Sequence, residues 1–97
     1  MARPIKWSPR AASDLEEICR YIAKDSPHYA AIFARRVLDI VSRIPDFPQA
    51  GRIVPEYGNE ALREKIYGNY RIVYRTRGDL IEVAAVCRAA RPLDDLS

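Results

Sequence analysis

Leu62-Arg63-Glu64-Lys65-Ile66-Tyr67, a Gly68-Asn69 break, Tyr70-Arg71-Ile72-Val73-Tyr74-Arg75, a second break at Gly78-Asp79, then Leu80 to Arg88: this run decides the fold. β-Branched and aromatic residues alternate with charged ones between turn residues. That is the pattern of short antiparallel strands joined by tight turns. Gly78-Asp79, with Gly first, fits a two-residue type II′ turn. Gly68-Asn69 leaves two registers open. A two-residue loop pairs Tyr67 with Tyr70 and mixes polar and apolar residues on both faces. A three-residue loop, Tyr67 to Asn69, pairs Ile66 with Tyr70, Glu64 with Ile72 and Leu62 with Tyr74, leaving one face mostly apolar. Register follows the pairing that buries one face, so the three-residue loop is expected, with Glu64 awkwardly inward. Ile81, Val83, Ala85 and Cys87 then lie beside Tyr74, Ile72 and Tyr70. Arg63, Lys65, Arg71, Arg75 and Arg88 gather on an outer, solvent-facing side.

Working outward, the sequence upstream reads as a helical pair. Ser8-Pro9 is a start signal: the hydroxyl accepts from a free N–H and Pro at the first position needs no donor. Ala11, Leu15, Ile18 and Ile22 recur at helical spacing to about Lys24. Asp25-Ser26-Pro27 repeats the signal, and Ala30, Phe33, Ala34, Val37, Val41 and Ile44 continue the stripe. A break of two or three residues folds the helices back as an antiparallel hairpin. Ile5 and Trp7 alternate with Pro4 and Lys6 as a short first strand. Residues 49–60 are a Gly- and Pro-containing loop with an extended piece at Arg52 to Pro55, and Phe47 or Ile53 is expected to reach the core. The expected fold class is α+β: an N-terminal strand and a helical hairpin packed on a small twisted antiparallel sheet of about four strands.

At 97 residues there is room for one domain, 1–91, followed by a polar tail at 92–97 expected to fray. Residues 61–91 hold seven basic side chains against three acidic ones, a surplus above the chain's net +3. A local basic face favours anionic partners. Cys19 and Cys87 show no metal or disulfide spacing and read as small buried hydrophobes. No cofactor and no metal site is expected. Glu16-Glu17 reads as an outer helix face and His28, the only histidine, as exposed surface. No apolar run is long enough for a membrane span, and Met1 to Trp7 lacks a signal-peptide core, so a cytoplasmic location is expected.

These residues together resemble a known family. Asp14-Leu15-Glu16-Glu17-Ile18 and Tyr21-Ile22-Ala23, the helix start at Asp25-Ser26-Pro27, Phe47-Pro48, Gly51-Arg52, Val54-Pro55-Glu56, Leu62-Arg63-Glu64 and Tyr70 to Arg75 follow the order and spacing of the ParE/RelE superfamily of type II toxins, over residues 3–91. The likeness is to its ParE-like, plasmid-stabilisation-type branch. The resemblance implies a cognate antitoxin whose acidic, extended or helical C-terminal segment wraps the toxin, and operator DNA bound only through that antitoxin. It implies DNA gyrase as target for ParE-like members, and metal-independent cleavage of messenger RNA on the ribosome for RelE-like ones. The ribonuclease branch commonly places Tyr or His at the end of the sheet, where this chain has Cys87-Arg88-Ala89-Ala90-Arg91. A gyrase-binding, non-enzymatic toxin is therefore expected, with a RelE-like ribonuclease or an inactive antitoxin-binding homologue as alternatives. The ParE-like branch often has a His-Gly-Arg-Arg-like segment there, from which Arg88 to Arg91 departs. Arg63, Lys65, Arg71, Arg75, Arg88 and Arg91 are the candidate antitoxin- and target-binding residues, with no catalytic residue assigned.

Overall fold

In the computed structural model, which describes residues 3–93 and 96, β1 (Ile5–Trp7) leads into helices α1 (Pro9–Ala23) and α2 (Pro27–Arg43). A single 3₁₀ turn, Ile44–Asp46, closes α2. Then come β2 (Arg52–Ile53), β3 (Leu62–Tyr67), β4 (Tyr70–Arg77) and β5 (Leu80–Arg88). Both helices begin as their sequences dictate. Ser8 Oγ accepts from Ala11 N–H at 3.0 Å and Ser26 Oγ from Tyr29 N–H at 3.1 Å, each followed by Pro at the first helical position.

The five strands run in the order β1-β5-β4-β3-β2. The α+β class is as expected, with two additions: β1 joins the sheet in parallel beside β5, and the extended piece at Arg52 becomes a short edge strand. The apolar stripes of α1 and α2 lie on one face. Ala11, Phe33, Val37, Val41 and Ile44 meet Ile72, Tyr74, Ile81, Val83 and Val86, all buried. At about 1.5–3 kcal/mol per large apolar side chain, this face is the main source of stability.

The register of the first hairpin differs from the expected one. Tyr67 pairs with Tyr70, Lys65 with Ile72, Glu64 with Val73 and Leu62 with Arg75. The loop is thus the two-residue Gly68-Asn69, with Gly68 at φ 58° and no positive φ at Asn69. A three-residue loop follows only if one face is dry and the other wet. Both faces are dry. Opposite the helices, Val54, Leu62, Val73, Ala84, Ala85 and Leu93 form a second cluster. Glu64 therefore does not point inward to the helices; it is buried on the far face at 1% exposure.

The second hairpin turns at Gly78-Asp79 as expected, pairing Arg77 with Leu80. It then meets a bulge. Val73 pairs with Ala85 but Tyr74 with Val83, which leaves Ala84 as an extra residue. A bulge reverses the side-chain parity beyond it. Ala85 and Cys87, expected beside the helices, pack on the far face, and Arg88, expected on the outer face, turns to the helix side.

The tail also departs from expectation: Leu93 is 6% exposed within the second cluster. The remaining tail residues Asp94, Asp95 and Ser97 lie outside the described residues. Phe47, expected to reach the core, is 73% exposed. Cys19 and Cys87 are free thiols, both half-buried, and burial raises the pKa of Cys19. Among the described residues no helix is long and apolar enough to cross a membrane.

Candidate functional site

The bulge in β5 builds the site. It delivers Arg88 to the mouth of a cleft between α1 and the end of the sheet, a space of about 410 Å³. Arg10, Asp14, Glu17 and Tyr21 come from α1, and Arg88 and Arg91 from the end of β5 and the turn beyond it. Ile18, Tyr70 and Val86 also line it. The Arg88 guanidinium lies over two rings, 5.7 Å from the centre of Tyr21 and 6.0 Å from that of Tyr70. Tyr70 is itself fixed by an edge contact with Phe33 at 5.0 Å. Arg88 is thus exposed yet held by its aromatic seat.

α1 also covers the edge of β5. β1 pairs with β5 only as far as Val83, because the chain then enters the helix. Past that point Asp14 Oδ2 accepts the Val86 N–H at 3.0 Å, and Ser8 Oγ donates to the Ala84 carbonyl at 3.1 Å. Arg10 lies 3.8 Å from the same Asp14 oxygen. The cleft is therefore cationic at one wall and carries one committed carboxylate, Asp14, and one exposed one, Glu17.

The far face holds the turn that carries Arg91. Arg71, 2% exposed, donates to both oxygens of Glu56 at 2.9 and 2.5 Å, to Glu64 at 3.1 Å and to the Arg91 carbonyl at 2.7 Å. Glu56 also accepts the Leu93 N–H at 2.9 Å, and Arg52 reaches the second Glu64 oxygen at 2.6 Å. Hydrogen bonds from Arg71 and then from Leu93 pull the Glu56 carboxyl down to about 2. The bond to Glu56 raises Arg71 in turn, although burial opposes it. Within the turn, Arg91 N–H donates to the Arg88 carbonyl at 3.1 Å and Ala89 N–H to the Asn69 carbonyl at 2.7 Å.

The six candidate cations do not share one face. Arg88 and Arg91 come together at the cleft. Arg71 is spent inside the fold and presents no surface. Arg63 sits on the helix side, donating to the carbonyls of Gln49, Gly51 and Glu60. Lys65, opposite Ile72, is half-buried. Arg75 is half-buried on the far face, 3.4 Å from Glu82 and donating to the Leu96 carbonyl. Tyr74 is also committed: its hydroxyl donates to the Pro48 carbonyl at 2.6 Å and accepts the Gly51 N–H at 3.2 Å, and burial raises its pKa. His28 is exposed, as expected, beside Tyr29.

Residues of α1 that are not among the six candidate cations also line the cleft. Arg10, Asp14, Glu17 and Tyr21 fall at helical spacing on one face, a signal that was present. Their position across from Arg88 depends on the bulge, which nothing in the sequence marks. Among the described residues no group of three or more His, Cys, Asp or Glu is placed to hold a metal.

Comparison with known proteins agrees with this architecture. The family described as ParE toxin of type II toxin-antitoxin system, parDE, matches residues 5–93. The candidate toxin Y4kP of Sinorhizobium fredii is 33% identical over 87 residues, covering 88% of this chain and 86% of that protein. The fold is also that of a chain in the chromosomal ParDE system of P. aeruginosa (TM-score 0.72, 20% identity, 90% of this chain and 96% of that one). A chain of the RelBE2 toxin–antitoxin complex of Mycobacterium tuberculosis is similar too (TM-score 0.60, 17% identity, 91% and 99%).

Proposed function

The chain belongs to the ParE toxin family of type II toxin–antitoxin systems, and from that premise we propose that it acts by binding DNA gyrase, as a non-enzymatic inhibitor neutralised by a cognate antitoxin. The gyrase target rests on membership of the ParE family; the observation that carries the antitoxin part of this reading is the Arg88 seat. Two cations, Arg88 and Arg91, flank a floor of Ile18, Tyr70 and Val86 beside Tyr21. An acidic segment with apolar anchors fits such a surface: carboxylates meet the arginines and the anchors fill the floor. This is the chemistry of a disordered antitoxin tail that orders on binding. Arg88 and Arg91 are therefore the contact residues of this proposal. Arg71 is a support for them, and operator DNA is reached only through the antitoxin. The place of action is the cytoplasm, where gyrase works.

A supercoiling assay tests the target. Micromolar protein should inhibit purified gyrase and accumulate cleaved DNA, and the antitoxin should reverse both. No inhibition at that concentration removes gyrase as the target.

One observation favours a second reading. Glu17 and Tyr21 share the cleft with Arg88 and Arg91, so a carboxylate and a phenol lie beside groups suited to a phosphate. Ribosome-dependent cleavage of messenger RNA would use such a set. Toeprinting on translating ribosomes decides it: uncut messages eliminate the ribonuclease.

A further inference from the structure

We propose that the cleft is an open strand edge, and that the antitoxin segment enters it extended, as a short strand added to β5; this rests on the reading of the cleft as the antitoxin site. In a strand the N–H and C=O of one residue point to the same side, and the side alternates from residue to residue. Val86 N–H points away from β4, because Asp14 Oδ2 on α1 accepts it at 3.0 Å. Ala89 N–H points toward β4, because the Asn69 carbonyl in the turn before β4 accepts it at 2.7 Å. The pairing of Val86 with Ile72, Cys87 with Arg71 and Arg88 with Tyr70 is regular. The Val86 carbonyl and the Arg88 N–H therefore both point outward. β1 does not extend to them, since its pairing ends at Trp7 opposite Val83. An acceptor and a donor thus stand side by side on the edge of β5, where a neighbouring strand would engage them.

The lining of the cleft agrees with an edge. Val86 belongs to the core under the helices, and Cys87 and Leu93 to the cluster on the far face, yet all three line the same space. A space bounded from both faces of a sheet runs along the side of a strand. Sheet edges are commonly covered or blunted. Here Ser8 Oγ covers the Ala84 carbonyl and Asp14 the Val86 N–H, and the cover ends there. A helix is the wrong occupant, because its backbone groups are bonded within itself except at its ends. It would exclude water from the Val86 carbonyl and the Arg88 N–H without replacing their hydrogen bonds. An extended segment brings its own N–H and C=O, and its alternate side chains reach both sides of the edge. One side meets Ile18 and Tyr21, the other Leu93. Arg88 and Arg91 select carboxylates among the remaining positions. Nucleic acid is the poorer fit, because Asp14 and Glu17 stand in the same wall.

The test compares isotope-labelled toxin, free and in complex with its full-length antitoxin, by nuclear magnetic resonance. In the complex the Arg88 amide should exchange with solvent at least about tenfold more slowly than in the free toxin, and the Val86 amide, already bonded to Asp14, should change less. Nuclear Overhauser contacts should join the antitoxin backbone to that of Val86 through Arg88. Ester-for-amide replacement, one position at a time, in a synthetic peptide of the bound antitoxin segment gives a second readout. Affinity should fall about two- to tenfold where the lost N–H met the Val86 carbonyl, and little at the positions on either side. Helical contacts within the bound segment, or an Arg88 amide that exchanges equally fast in both states, overturn the added strand but leave the cleft as the antitoxin site. An antitoxin that binds without shifting any resonance of the cleft overturns both. Cleft resonances that answer to a single-stranded RNA oligomer and not to the antitoxin overturn the proposal in favour of nucleic acid.

Discussion

The two faces of the sheet are both buried, but by different chemistry. Under the helices, Ile72, Tyr74, Ile81, Val83 and Val86 meet an apolar wall. That attraction is non-directional and roughly proportional to area. On the far face the strand residues Leu62, Val73, Ala84 and Ala85, packed with Val54 and Leu93, share the surface with Arg71 and Glu64, with Glu56 and Arg52 at the margin. Those charges are tolerable only as a complete set, because each buried ion depends on its partner. The first face should thus degrade gradually under substitution and the second all at once.

Charge reversal at the centre of the second face gives the largest expected effect. Arg71→Glu sets three carboxylates together with no cation among them but Arg52, and should cost about 3–5 kcal/mol or more, as when a buried pair loses one partner. Urea unfolding would read it, and much of the protein should fail to fold. On the helix face, Ile72→Val removes one buried methylene and should cost about 0.5–1.5 kcal/mol. If the two losses are equal, the contrast between the faces is wrong.

Acid should separate the faces without mutation of the core. The Glu56 carboxyl is held near 2 by Arg71 and the Leu93 N–H, against about 4.3 for an unperturbed Glu. A depressed folded-state value means the contribution is full above the unfolded value and is lost as pH falls through the folded one. Stability should therefore drop between about pH 4.5 and pH 2 as the clamp on Arg91 and Leu93 is protonated. Glu56→Gln should start lower at neutral pH and fall less over that interval. Urea midpoints at pH 7, 4 and 2.5 for both proteins check it; parallel curves would mean another carboxylate dominates.

The same contrast explains what the sequence disclosed. Ser8-Pro9, Ser26-Pro27 and the helical stripes are local signals with local causes, and they place α1 and α2 to within a residue or so. Gly78-Asp79 is as legible. The register at Gly68-Asn69 is not legible from alternation, because Glu64 and Arg71 are charged residues that neutralise each other in the interior. Long-range pairing of that kind leaves no periodic trace. The bulge at Ala84 is equally silent, and it decides the site, since it moves Arg88 from one face to the other. Of the six cations named from the sequence, charge alone could not tell which were already spent on Glu56, Glu64, Glu82 or a carbonyl.

Arg88 and Arg71 make the smallest and sharpest test of the difference. They sit one step apart on the ladder, where Tyr70 pairs with Arg88 and Arg71 with Cys87, yet they face opposite ways. Arg88→Ala removes an exposed guanidinium from the rings of Tyr21 and Tyr70 and should cost about 0.5–1 kcal/mol of stability. It strands no buried charge, so folding should survive. On the proposed role, its affinity for the antitoxin should fall about tenfold or more. Arg88→Lys keeps the charge but not the planar stacking group, and should fall between the two. Titration of folded protein against the antitoxin, at low and at high salt, separates charge from stacking, because only the charge component is screened. An unchanged affinity in Arg88→Ala would remove the cleft as the antitoxin site, and would leave both faces of the sheet to structure alone.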